Sequence, residues 1–526
     1  MSVTVSKELP KAKFPEEVGV SSEKLLELYK KMEETENHGF MVIRHGKVAA
    51  QWFREPYSAT TPHIMYSISK SISALAIGFA VNEGILSLDD KVVDYFPEYV
   101  PKNCDEDLKK LTLRHLITLT AGRKVSPVMS KVKNDWIKIY MKSKSDYTPG
   151  ERFSYVNENF HMALAMLRKA TGVSAVEFLT PRLFDPLEIP VPFWETDHNG
   201  VEAGGWGLYI SATDIAKIAL CFLNNGVYNG KQVIPAEWIS EATVNHKGPN
   251  AVFAGKYDYG YGYGIWFRAG KNRPLRFDGL FGQIAEIYRD QDAVTVIIGG
   301  DAPGKSRLLI FDYFPDAFIE EQTSDKNSVK IPEGKPYEIL FSEFRSSLEK
   351  ELNNKIAVFR KWNYLNLIGF PLSVMPAAAT YMSRIKGGDI NDVTFQFFDD
   401  FLRFSWREHQ YRYTVDCGMD GKWRVTQLVL TGVPSHAYSS AKWENNNTLL
   451  LDIRTSESVG ARILEFKING EKIKMKPSSL PDVSVIIDGV RFALKTFVKS
   501  DFLTDLIMAF LKKAVEPTYY GHFKKS

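Results

Sequence analysis

The sequence predicts an α+β domain, with flanking strands about a helical middle. A C-terminal antiparallel β domain of barrel or sandwich form follows it. Two observations carry this expectation. Between about residues 39 and 300, short apolar strands open and close a region whose middle has helical period. Beyond Ile385 the chain breaks into strand-like pieces, VTFQFF, LRFSW, YRYTVDC, WRVTQLVL, TLLLDI, ARILEFKI and EKIKMK, separated by tight-turn pairs. At 526 residues the chain exceeds one ordinary core. The boundaries drawn are 1–325 for the first domain, 326–384 for a linker with a helix, and 385–526 for the β domain, which ends in a helix.

In chain order, FMVIRHGKVAAQWF reads as two apolar strands about a His45-Gly46 turn. Ser67–Glu83 places Ile72, Leu75, Ala76, Phe79 and Ala80 at helical spacing, and Gly84 stops the run. Thr112–Leu119 and Phe160–Thr171 are further helices. Asp214–Asn224 is a fourth, with Thr213-Asp214 as its cap. Gly260–Phe267, Leu275–Phe277, Gln283–Tyr288 and Ala293–Ile298 read as strands, and a helix follows over Ser306–Ile319. In the second domain Asp399-Asp400, Asp420-Gly421 and Asn469-Gly470 supply hairpin turns. Phe502–Ala514 is an amphipathic helix expected to pack on its own protein.

Composition narrows the function. The 66 basic and 63 acidic residues leave a formal charge of +3, with no basic block for a nucleic-acid track. The cysteines, Cys104, Cys221 and Cys417, are odd in number and unpaired in spacing, which suits a reducing, cytoplasmic setting and neither a disulfide framework nor a zinc cluster. No signal peptide is read at the start. The apolar run Leu365–Met382 is broken by Pro371 and Pro376, so a buried linker is expected there and no transmembrane helix. His115, His161 and His198 lack metal-ligand spacing. GGWG at 204–207 reads as a glycine-rich turn, since no Lys-Ser or Lys-Thr follows to make a phosphate loop. The aromatics Tyr257, Tyr259, Tyr261, Tyr263 and Trp266 either line a pocket or pack as a strand face. No cofactor or metal is called for, and the oligomeric state is left open.

Chemistry enters with Ser-x-x-Lys, a weak motif whose copies begin at Ser21, Ser67, Ser130, Ser347, Ser383 and Ser439. Ser67 differs in context, because HIMYS leads into the first turn of a long apolar helix. Free backbone N–H groups and the helix dipole favour developing negative charge there. One turn on, Lys70 returns to the same face. A serine hydroxyl needs a base, and a lysine serves only if its surroundings hold it neutral. The plainer alternative is a capping Ser67 and a solvated Lys70. Tyr155-Val156-Asn157 adds a hydroxyl able to relay a proton and an amide able to hold Lys70 or the substrate's acyl chain. The pattern recurs at Tyr364 and is weak alone.

These residues carry a resemblance. SISKSISALAIGFAVNEGILSLDDKVVDYFPEY resembles the nucleophile helix of the serine β-lactamase and penicillin-binding-protein superfamily, closest to class C β-lactamases and their esterase and amide-hydrolase relatives. LTLRHLITLTAG, PGERFSYVNENF and AGGWGLYISATDIAKIALCFLNNGVYNGKQVIPAEWI resemble the segments that follow, in the same order, from about Val18 to Gly300. The resemblance implies a β-lactamase-like fold, an antiparallel sheet flanked by helices plus a helical subdomain, with Ser67 as nucleophile and Lys70 and Tyr155 as proton-handling partners. It also implies Asn157 and Gly279 at the substrate, with the Ser67 and Leu280 N–H groups as an oxyanion hole. Where relatives carry Lys-Thr-Gly or His-x-Gly, this chain has Phe277-Asp278-Gly279. That loss of a cation points away from penicillins and D-alanyl peptides, toward an uncharged ester or an amide, although Arg276 stands close enough to replace it. The expected function is a serine hydrolase acting on a small ester or amide through a Ser67 acyl-enzyme. The alternative is a catalytically weak or inactive binding or regulatory protein on the same fold.

Overall fold

The computed structural model describes residues 6–124, 135–246, 258–268, 274–301, 305–360, 390–408, 411–430, 432–482 and 500–524. The apolar run Leu365–Met382, the motif copies at Ser130 and Ser383, Tyr257 and Tyr364 lie outside these residues. Two compact units divide the chain, 1–335 and 336–526.

In the first unit α1 (Ser22–Met32) precedes the hairpin β1 (Asn37–Arg44) and β2 (Lys47–Phe53), joined at His45-Gly46. The short β3 (His63–Ile64) leads into α2 (Ile68–Asn82), and α3 (Glu158–Thr171) lies beyond several shorter helices. Next come β4 (Phe193–Trp194), β5 (Leu208–Ile210) and α4 (Ala212–Leu223). The unit closes with β6 (Asp258–Tyr261), β7 (Trp266–Arg268), β8 (Leu275–Gly279), β9 (Gln283–Tyr288), β10 (Ala293–Gly299) and α5 (Lys305–Tyr313).

These strands build one antiparallel sheet in the order β6-β7-β8-β9-β10-β1-β2. AVTVIIG and QIAEIY are buried along their whole length, as strands covered on both faces must be. One face packs on α1 and α5 through Leu25, Leu28, Phe40, Val42, Trp52, Ile297 and Ile310. On the other lie α2 and α4. Helix α2 is buried from Ile68 to Ala80, its first turns carrying the buried polar residues Ser69, Lys70, Ser71 and Ser73 and the rest being apolar. A Cβ at Gly78 would stand 2.4 Å from the Trp238 ring, so only glycine permits that packing. The cap of α4 is Ser211, whose side chain accepts the Asp214 N–H at 3.1 Å, and not the expected Thr213-Asp214.

The second unit is a barrel. Its strands are β11 (Ile356–Phe359), β12 (Ile390–Phe397), β13 (Phe401–Glu408), β14 (Tyr411–Gly418), β15 (Arg424–Leu430), β16 (Val433–Asn445), β17 (Thr448–Thr455), β18 (Ala461–Asn469) and β19 (Lys472–Leu480). Helix α6 (Asp501–Val515) and β20 (Tyr519–Phe523) complete it. The order β14-β13-β12-β11-β20-β19-β18-β17-β16 closes where Gly418 meets Ser440, giving a nine-stranded barrel. Strand β15 pairs outside the ring with the first half of β16. Alternation sends Leu402, Phe404 and Trp406 inward and Arg403, Ser405 and Arg407 outward. Phe395, Phe404 and Phe466 meet in the filled interior. Gly470 takes φ of 58° in the two-residue hairpin between β18 and β19, whereas Gly421, at φ 76°, lies in a five-residue connection between β14 and β15, which pair with other strands and not as the expected hairpin. Ile356–Phe359 is a barrel strand within the stretch read as a linker; four residues are too few for periodicity to show. Over its described side chains helix α6 buries Thr504 and Met508 and exposes Phe502, Leu503 and Leu506. Among the described residues no helix is long and apolar enough to cross a membrane.

Candidate active site

Ser67 stands at the N-terminus of α2, just after a backbone reversal at Tyr66, whose φ is 45°. Its hydroxyl does not cap the helix. The contrast is Ser21, which opens another Ser-x-x-Lys copy and accepts the Lys24 N–H as the cap of α1. Ser67 is therefore left half-buried with its side chain available.

Lys70, 1% exposed, places Nζ 3.0 Å from Ser67 Oγ, 2.7 Å from Asn157 Oδ1 and 2.6 Å from the Gly205 carbonyl. Burial lowers its pKa to about 7, opposed by the carboxylates of Glu158 and Asp278. When neutral, the amine donates to Asn157 and Gly205, and its lone pair is left for the Ser67 proton. Tyr155 lies against this pair: Lys70 Nζ is 4.7 Å from its ring centroid, and its hydroxyl bonds the Ser67 side chain. Burial raises the Tyr155 pKa far above the ordinary tyrosine range, so the phenol stays protonated at neutral pH.

Three serines of α2 pin the surrounding loops. Ser69 Oγ accepts the Leu208 N–H at 3.0 Å, while Ser71 and Ser73 donate to the Gly264 and Gly204 carbonyls at 2.6 and 2.9 Å. The GGWG turn approaches α3 so closely that a Cβ on Gly205 would lie 2.5 Å from the Asn157 carbonyl oxygen. The turn predicted from its glycines thus supplies a ligand for Lys70, a role the sequence did not reveal. Trp266, one of the aromatics read as either pocket lining or strand face, stacks at 6.1 Å on Tyr155 and is itself met edge-on by Tyr261. Tyr263 instead bonds Glu241 and Arg114, so the aromatic group divides; the Tyr259 side chain is not among those described.

The end of β8 borders the serine. A Cβ on Gly279 would lie 2.3 Å from the Met65 carbonyl oxygen, so the close approach this glycine permits is to the chain's own segment before Ser67. Leu280 follows in a tight turn with Phe281 at φ 63°. Buried Gln283 fixes that turn: Nε2 donates to the carbonyls of Leu280, Phe281 and Gly299 at 3.1, 3.2 and 2.7 Å, and Oε1 accepts the Gly299 N–H. Phe277 points into the core, edge-on to Phe222 at 5.2 Å. Arg276 does not replace the missing cation, because its buried side chain holds Asp278 at 2.7 Å.

Of the three histidines weighed in the sequence, His198 is exposed and the other two serve structure. His115 closes a capping box with Thr112. His161 is buried between Asp197 and the Glu202 carbonyl.

A model of the Beta-lactamase family matches residues 27–307, more than half of the chain. The 6-aminohexanoate-dimer hydrolase of Paenarthrobacter ureafaciens is 23% identical over 232 residues, covering 41% of this chain and 59% of its own length. A Beta-lactamase of Escherichia coli is 28% identical over 138 residues, 26% of this chain and 36% of its own length. The chain thus spans less than two thirds of the curated relatives it matches. Among solved structures, the octameric penicillin-binding protein homologue from Pyrococcus abyssi has a TM-score of 0.46 at 16% identity, covering 86% of this chain and 97% of that one. A D-stereospecific amidohydrolase from Streptomyces has a TM-score of 0.45 at 18% identity, covering 56% and 99%. By the family match, this chain belongs to the beta-lactamase family.

Proposed function

We propose that the protein hydrolyses a small ester or amide through a Ser67 acyl-enzyme. The observation that carries this reading is the buried Lys70 amine, 3.0 Å from Ser67 Oγ and held by two further acceptors. With its pKa near 7, Lys70 is substantially neutral at physiological pH and takes the hydroxyl proton as Oγ attacks the carbonyl. The Ser67 and Leu280 N–H groups receive the oxyanion. Tyr155 passes a proton to the departing alkoxide or amine, and Lys70 returns one to Tyr155. Water then attacks the acyl-enzyme with Lys70 again as base, releasing the acid and restoring Ser67. Asn157 and Gly205 hold the amine in place through both steps. The name of the 6-aminohexanoate-dimer hydrolase, a hydrolase of an amino-acid dimer and hence of an amide, supports the amide half of this reading. All three cysteines are free, which favours a cytoplasmic setting.

The test is hydrolysis of short-chain nitrophenyl esters by the purified protein beside Ser67→Ala. Turnover lost in the variant supports the reading. Turnover that survives in Ser67→Ala rejects it, and no turnover in either favours a binding protein on this fold.

A further inference from the structure

Asp278 holds the middle position of the strand-end triplet and is unusual in how its two oxygens are used. Oδ2 takes both arginine contacts, from Arg276 Nε at 2.7 Å and Arg307 Nη1 at 3.1 Å. Oδ1 has no hydrogen-bond partner among the described residues, and the side chain is 17% exposed. The guanidinium charge is turned inward. Arg276 is fully buried and faces Glu286 across the strand pair, and Glu286 in turn binds Arg268 at 3.0 Å. The next residue, Gly279, packs on the Met65 carbonyl two residues before Ser67, so the strand end that carries Asp278 borders the serine, and the Asp278 charge acts on both Lys70 and Tyr155. The result is a clamped carboxylate with one open acceptor beside the reacting groups. Such an acceptor is already ordered, so a donor that meets it gains a charge-assisted bond at little entropic cost.

We propose that Asp278 determines specificity: its Oδ1 accepts a hydrogen bond from an N–H or ammonium group carried by the substrate near the scissile carbonyl, and it repels a carboxylate there. This rests on the Ser67 reading and narrows it to amine- or amide-bearing acyl compounds. A site built to meet a donor discriminates more sharply than an apolar one, because the wrong ligand leaves its acceptor unpaired.

The experiment measures inhibition of nitrophenyl butyrate hydrolysis by three phenylboronic acids that can bond Ser67, bearing aminomethyl, ethyl or carboxymethyl groups. The whole protein is used as wild type, Asp278→Asn and Asp278→Glu, with thermal melts to establish folding. The wild type is expected to bind the aminomethyl compound at least about tenfold more tightly than the carboxymethyl one, the range of a charged hydrogen bond. That span is expected to shrink about tenfold in Asp278→Asn and to keep its direction in Asp278→Glu. A carboxymethyl compound bound as tightly as the aminomethyl one by the wild type overturns the proposal, as does an unchanged span in folded Asp278→Asn. If Asp278→Asn does not fold, the wild-type and Asp278→Glu series decide it. Ester turnover that is absent, with no boronate bound at Ser67, removes the hydrolase reading itself; turnover and binding without charge preference remove only this inference.

Discussion

Lys70 Nζ lies 2.6 Å from the carbonyl oxygen of Gly205, a residue 135 positions away in the chain. That contact, with the one to Asn157, fixes which way the amine faces and leaves its remaining position to Ser67. The base is therefore built by three segments, and each can be perturbed separately.

The pH dependence follows from burial of Lys70. Its pKa of about 7 puts the acid limb of kcat/KM there, with activity rising toward pH 8 as the amine loses its proton. Steady-state kinetics from pH 5 to 9 on an uncharged ester checks this. A limb centred at or below pH 5 points to a carboxylate as the base.

Stability responds to the same group. The folded pKa lies below that of an unfolded lysine, so the folded state holds fewer protons between about pH 7 and about pH 10.4. Stability from this group rises with pH across that window, and its burial cost is full below it. Lys70→Met removes the cost, so its melting temperature relative to wild type is higher at pH 6 than at pH 9, while activity falls by at least about 1000-fold. Paired thermal melts at the two pH values give the sign.

Gly205→Ala drives a methyl to within 2.5 Å of the Asn157 carbonyl oxygen and 3.1 Å of its carbon, backbone atoms that cannot swing aside. The loop shifts and the Lys70 contact is lost. An ångström of misplacement lowers kcat/KM by about 100-fold, with a lower melting temperature. Kinetics equal to wild type would show that the Gly205 carbonyl is dispensable.

Gln283→Leu keeps approximate volume but strips the carbonyls of Leu280, Phe281 and Gly299 of a shared donor. Unpairing buried acceptors costs about 1–3 kcal/mol of stability. Loosening the Leu280 N–H lowers kcat by up to about 100-fold, with KM changed far less. A rise in KM alone would place Gln283 in ground-state binding.

Much of the first unit was legible because its signals are local. The 3.6-residue period of Ile72, Leu75, Ala76 and Phe79 gives α2, and the buried runs after Gln283 and Ala293 give the central strands. The pair Ser67 and Lys70 follows from one helical turn. Gly205 was not legible as part of the site, because its role depends on a contact 135 residues away that no short pattern encodes, and the choice between pocket and strand face at Trp266 rests on Tyr155 in another segment. Gln283 acts through Leu280, Phe281 and Gly299, at most 16 residues away, but no motif marks the turn it holds. Arg276 misled for the same reason: its nearness to the triplet is plain in sequence, but its inward turn toward Asp278 is a property of the packed sheet. In the second unit alternation announced the strands, whereas closure rests on Gly418 meeting Ser440, a contact between strands that are not consecutive.

The central claim is that Lys70 activates Ser67 as a neutral base. The most direct test is the rate at which a fluorophosphonate labels the protein, read by peptide mass spectrometry as a function of pH, in wild type and Lys70→Ala. The account predicts one adduct, on Ser67, whose rate rises through a midpoint near pH 7 and drops at least about 100-fold in the variant. Labelling on another residue, or a Ser67 rate that Lys70→Ala leaves unchanged, would contradict it.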